Sequence, residues 1–140
     1  MLTEKDYCDY ETCVALKELG YKTPASAYYI PNNETLYFVS NPFRGGYVID
    51  CFYSHNSLPK DVMTANYIDA PTMWEAQKWL REEKGLHIEV RWYSNIWYEY
   101  EVKEAEGKTL AEGTAFKTYE EALGTAVYMA TEHLKEKEDE

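Results

Sequence analysis

The stretch running from Thr72-Met-Trp-Glu75 to Thr118-Tyr-Glu-Glu121 opens and closes on the same device. In each quartet a threonine stands three residues before a glutamate at the head of an apolar-periodic run. Hydroxyl and carboxylate then satisfy free N–H groups at a helix start. Between the quartets, Leu86-His-Ile-Glu-Val-Arg-Trp-Tyr93 and Ile96-Trp-Tyr-Glu-Tyr-Glu-Val-Lys103 alternate like strands. A third run, Thr109 to Phe116, is diluted by Gly113 and small residues. The order is helix, three strands, helix, which defines an architecture and supplies no chemistry.

Side-chain parity decides the first turn. A two-residue loop at Ser94-Asn95 would set Val90 opposite Glu99 and mix the two faces, because a one-residue slip flips the pleat. A three-residue loop, Ser94-Asn-Ile96, pairs Val90 with Tyr100 and Ile88 with Val102 on the inside, and Arg91 with Glu99 outside, with Asn95 or Ile96 taking up the bulge. The inward set is Leu86, Ile88, Val90 and Trp92. The flanking helices run from Met73 to Lys84, with Gly85 as the stop, and along the stripe Tyr119, Ala122, Leu123, Ala126, Ala130, Leu134. Residues 136–140 form a charged tail expected to fray.

Toward the N-terminus, Asp9 caps a helix that reaches about Leu19 and stops at Gly20. Strand-like runs follow at Ala25–Ile30, Thr35–Ser40 and Tyr47–Tyr53, with turns at Pro31–Glu34 and Asn41–Gly46. Ser54 to Ala70 is irregular, with room for one short strand near Tyr67 and Ile68. The expectation is a single α+β domain over residues 1–140. It holds an antiparallel sheet of about five or six strands and three helices, in the order α-βββ-α-βββ-α. Gly20 and Gly85 end corresponding helices, so the halves 1–70 and 71–135 read as two copies of an α-βββ unit. The residues of the two halves match poorly, which leaves duplication a suggestion.

The 140 residues are enough to bury roughly two-thirds of the unfolded surface. Fourteen basic against 25 acidic residues give a net charge of -11, which repels phosphate and anionic membrane surfaces and favours basic partners or simply solubility. Aromatic residues reach 16%, with 14 tyrosines, a type suited to half-buried sheets and wet interfaces. No apolar run is long enough for a membrane helix, and Met1-Leu-Thr-Glu-Lys-Asp6 lacks the pattern of a secretory signal. Cys8, Cys13 and Cys51 form an odd set without a C-x-x-C pair, which points to reduced thiols in a cytoplasmic protein. The sequon at Asn33 then carries no meaning.

No cofactor or metal is implied: His55, His87 and His133 are far apart and lack ligand spacing. Ser54-His-Asn-Ser57 places hydroxyls beside an imidazole, but triads assemble through space and not along the chain. Cys51 falls in an apolar strand, where an inert thiol is the default. Gly45-Gly46 lacks the residues of a phosphate loop. The cluster with promise is aromatic. Tyr93 and Trp97 face each other on the outer side of the hairpin tip, beside Arg91 and Glu99. Trp, Tyr and Arg dominate interface hot spots, although such a pair can equally serve only to stabilise its hairpin. Trp74, off the stripe of its helix, is a fourth candidate.

The helix-βββ-helix order resembles that of double-stranded-RNA-binding domains. That likeness implies basic residues at the start of the last helix, where this chain has Thr118-Tyr-Glu-Glu121, an anionic end that argues against direct nucleic-acid binding. A second resemblance is carried by Ala70-Pro-Thr-Met-Trp-Glu-Ala-Gln-Lys-Trp-Leu-Arg-Glu82, Asp6-Tyr-Cys-Asp-Tyr10, Ala15-Leu-Lys-Glu-Leu-Gly20 and Thr118-Tyr-Glu-Glu-Ala-Leu123. These segments resemble small uncharacterised accessory proteins of phages and mobile elements in gut Bacteroidales. The likeness implies a cytoplasmic bacterial setting and an accessory role, and it assigns no catalytic residue.

Three functional expectations follow. The first is a non-enzymatic accessory protein that binds another protein through Trp97, Tyr93, Arg91 and Trp74, or a second copy of itself as a homodimer. The second is an acidic mimic of nucleic acid that blocks a basic protein. The third is an enzyme whose pocket would gather Cys51, His55 or several acids.

Overall fold

Capping chemistry fixes where the helices begin and end. In the computed structural model, which describes residues 2–22, 26–30, 34–41, 48–51, 68–94 and 96–138, helix α1 spans Tyr10–Glu18. The Asp9 carboxylate accepts from Thr12 N–H at its start. At its end Gly20 takes φ +102, Gly20 N–H donates to Lys17 C=O and Tyr21 N–H to Leu16 C=O. That pair of bonds is the Schellman arrangement, which needs the left-handed region that glycine enters without a Cβ penalty. Helix α2 spans Met73–Lys84 and opens on the reciprocal box: Thr72 Oγ1 accepts from Glu75 N–H at 3.1 Å, and Glu75 Oε1 accepts from Thr72 N–H at 2.9 Å. Helix α3 spans Tyr119–Glu138, with Thr118 Oγ1 accepting from Glu121 N–H. It continues through Glu136–Glu138, part of the tail expected to fray.

The strands are β1 Ala27–Ile30, β2 Thr35–Asn41, β3 Val48–Cys51, β4 Ile68–Asp69, β5 Leu86–Tyr93, β6 Trp97–Glu104 and β7 Thr109–Phe116. The fold is α+β with antiparallel pairing. Among the described residues the strands form two sheets, β3-β2-β1-β4 and β5-β6-β7, instead of one sheet of five or six. Helix α2 covers one margin of the second sheet: Gln77 Nε2 donates to Ile88 C=O at 3.1 Å, occupying an acceptor of β5, an edge strand. Most of the two expected turns, at residues 31–33 and 42–46, lies outside the described residues, as do the sequon at Asn33 and most of the segment after Cys51.

The parity argument holds throughout the β5–β6 pair. Ile88 pairs with Val102, Val90 with Tyr100, Arg91 with Glu99 and Tyr93 with Trp97. Ser94, at φ +55, takes a left-handed conformation in the turn, and Asn95, one of the two residues expected to take up the bulge, lies outside the described residues.

Both halves feed one core, in which Cys13, Leu16, Ala27 and Ile68 cluster with Leu80, Val102, Leu123 and Val127. Helices α2 and α3 cover one face of β5-β6-β7, and α1 packs on α3 and β4. Ala122, Ala126 and Ala130 are fully buried, and their small size lets α3 lie close against the sheet. The N-terminal segment is clipped to the segment before α2: Tyr7 bridges Thr72, and Cys8 N–H donates to Pro71 C=O at 3.0 Å. Tyr29 Oη donates to Cys8 C=O at 3.0 Å, fastening β1 to the same clip.

Candidate interaction site

Burial along β5 fades toward the hairpin tip. Leu86 and Ile88 are buried under the helices and Val90 is half-buried, whereas Trp92, on the same face, is 62% exposed. The helix cover stops short of it. On the other face Tyr93 is 53% exposed, and Ile96 in the turn is 66% exposed. These are the three most exposed large apolar side chains among the described residues, and they fall within five positions of one another.

Tyr93 stacks on Trp97, with ring centroids 5.6 Å apart and planes 8° from parallel. Trp97 is half-buried, and its Nε1–H has no acceptor among the described residues.

Arg91 is less available than its position suggests. Its guanidinium holds Glu99 at 3.0 Å, Glu89 at 3.0 Å and Glu101 at 3.3 Å. The Glu99 hydrogen bond is the main cause that raises the Arg91 pKa above its ordinary value. Lys103 joins the same cluster through Glu101 and Glu89, so three carboxylates share two cations on this face. Glu101 is held below the usual carboxylate range, chiefly by the Thr109 hydroxyl and then by Lys103 and Arg91. Arg91 is thus an anchor of the sheet surface. Trp74 is 38% exposed in the first turn of α2, on the helix side of the sheet, opposite the face bearing Tyr93 and Trp97. The structure brings Tyr93 and Trp97 together and leaves Trp74 apart.

Two contributors escaped the sequence reading, Trp92 and Ile96. Alternation assigns Trp92 to the inner face but carries no information on how far the helices extend over it. Ile96 in a turn was the available signal, since an isoleucine there has no structural demand to meet.

The side chain of Cys51 and all of His55 lie outside the described residues. Among those described, no group of three or more His, Cys, Asp or Glu could hold a metal ion. Cys8 and Cys13 are buried, and contact with Cys8, then burial, pushes the Cys13 thiol far above its ordinary pKa, which leaves it inert as a nucleophile. No helix among the described residues is long and apolar enough to cross a membrane. Comparison with protein-family models, curated proteins and solved structures gave no match to the chain.

Proposed function

We propose that the chain is a non-enzymatic binding module that engages a protein partner through the tip of its β5–β6 hairpin. The observation that carries this reading is the concentration of Trp92, Tyr93 and Ile96 around one exposed hairpin tip, Trp92 and Tyr93 on its two faces and Ile96 in the turn, backed by the Tyr93–Trp97 stack. Clustered exposed aromatic and aliphatic side chains mark interaction surfaces, and tryptophan and tyrosine supply most of the binding energy in such patches. A stack serving only its hairpin leaves the exposure of Trp92 and Ile96 unexplained. The resemblance of the α2 and α3 starts to accessory proteins of phages and mobile elements agrees with such a role in a bacterial cytoplasm.

The mimic reading draws less support from the sheet surface. Its acids Glu89, Glu99 and Glu101 are drawn in by Arg91 and Lys103, whereas a mimic of phosphates needs unpaired rows.

Paired affinity captures from lysate of the source organism test the proposal, with the native chain and a Trp92→Ser, Ile96→Ser double variant as baits at low and high salt. A species retained by the native chain in both salts and lost by the variant supports it, because apolar contacts persist where screened charges do not. Identical captures by both baits contradict it.

A further inference from the structure

Where the first turns of α1 and α3 meet the start of α2, the surface opens into a groove of about 610 Å3. That lies within the usual range for ligand sites, about 300–1,000 Å3. The floor is apolar, formed by Tyr7, Met73 and Phe116. Gly124 of α3 keeps it open: a Cβ there would stand 3.2 Å from Met73 Sδ, so any side chain at 124 would press on the methionine. Methionine is itself an adaptable contact for an incoming side chain.

The rim is acidic. Asp9 caps α1 and Glu11 lies in its first turn, and Glu120 and Glu121 lie in the first turn of α3, all exposed. Acids in a first turn are favoured by the helix dipole, which offers roughly half a charge per helix end. Here two acids stand at each end, so about one and a half negative charges per helix are left over. No lysine, arginine or histidine lines the groove among the described residues, and none of the four acids is ion-paired there.

We infer that this groove docks a basic peptide segment of a partner protein, its cationic side chains on the Asp9–Glu11 and Glu120–Glu121 rim and an apolar side chain on the Met73 floor. The floor is what selects a peptide over a free polyamine, which would satisfy the rim and leave the apolar surface wet. None of the groove's lining residues belongs to the β5–β6 hairpin, so this inference stands apart from the proposal for the hairpin tip.

The probe is a blocked heptapeptide of alternating arginine and leucine, titrated into the full chain and followed by backbone amide shifts and calorimetry. Saturable shifts confined to Tyr7–Thr12, Met73 and Glu120–Tyr128 are expected. Glu120→Gln with Glu121→Gln should weaken binding about tenfold, as two screened rim charges allow. Thr125→Phe, which fills the groove without removing a carboxylate, should abolish it. Peptides with citrulline for arginine, or serine for leucine, should bind much more weakly, and spermidine should not compete. The inference is overturned if the heptapeptide does not bind, or if its shifts spread over acidic surfaces such as Glu82–Glu83 and Glu104–Glu106. Equal binding by the serine peptide or by spermidine would overturn it as well.

Discussion

Tyr93 lies flat over Trp97 across the β5–β6 pair, their planes 8° from parallel. At a centroid separation of 5.6 Å the rings are offset, the stacked geometry that aromatic quadrupoles prefer. Such a cross-strand pair contributes about 0.2–1 kcal/mol. Tyr93→Ala should therefore lower stability in urea by no more than about 1 kcal/mol while unfolding stays cooperative. A loss of several kcal/mol would mean that the stack is chiefly a structural support.

Gly113 is required by its neighbour. It pairs with Tyr100, and a Cβ built on it would stand 2.5 Å from the tyrosine's Cε1 and 3.2 Å from Phe116 Cε2. Tyr100 is buried and cannot swing clear, so Gly113→Ala forces an overpacked core. The expected cost is about 1–3 kcal/mol, with a change in the near-ultraviolet dichroism of the tyrosines. Wild-type stability in urea denaturation would refute this packing.

Strand β5 is an edge, and Gln77 caps one of its carbonyls. Edges with free acceptors invite pairing with another chain, and a side-chain cap is one way to blunt them. Gln77→Ala should cost about 1 kcal/mol and make the protein associate at lower concentration in sedimentation equilibrium. Unchanged association would assign Gln77 to local packing alone.

Glu101 predicts a pH dependence with a definite sign. Its carboxyl pKa is depressed in the folded chain, first by the Thr109 hydroxyl and then by Lys103 and Arg91. A depressed carboxylate contributes stability above its unfolded pKa, about 4.3, and that contribution is lost as pH falls through the lower folded value. Thermal midpoints should drop between about pH 5 and pH 3, and Glu101→Gln should flatten the profile in that window. An identical slope in the variant would show that other acids carry the effect.

The sequence was most informative where local chemistry decides the outcome. Threonine–glutamate spacing and Gly85 bound α2, and parity alone selected the three-residue turn that pairs Arg91 with Glu99 and Tyr93 with Trp97. The division into two sheets was not legible, because alternation names the face of a strand and not its lateral neighbour: a two-residue β4 joins the edge of β1, and β5 ends the other sheet. Exposure of Trp92 escaped for a related reason, since alternation names the face of a residue and not the extent of the layer above it. The groove was equally hidden. Its acids sit in two helix starts more than a hundred residues apart, each explained locally by its own helix dipole.

Photo-crosslinking at Ile96 tests the central claim most directly. A benzophenone amino acid at 96, placed in the full chain inside its native cell, should give one discrete adduct with a second protein. The same residue at Glu106, an exposed position in the turn between β6 and β7, should give none. Absence of an adduct at 96, or the same adduct from both positions, would contradict a partner site at the hairpin tip.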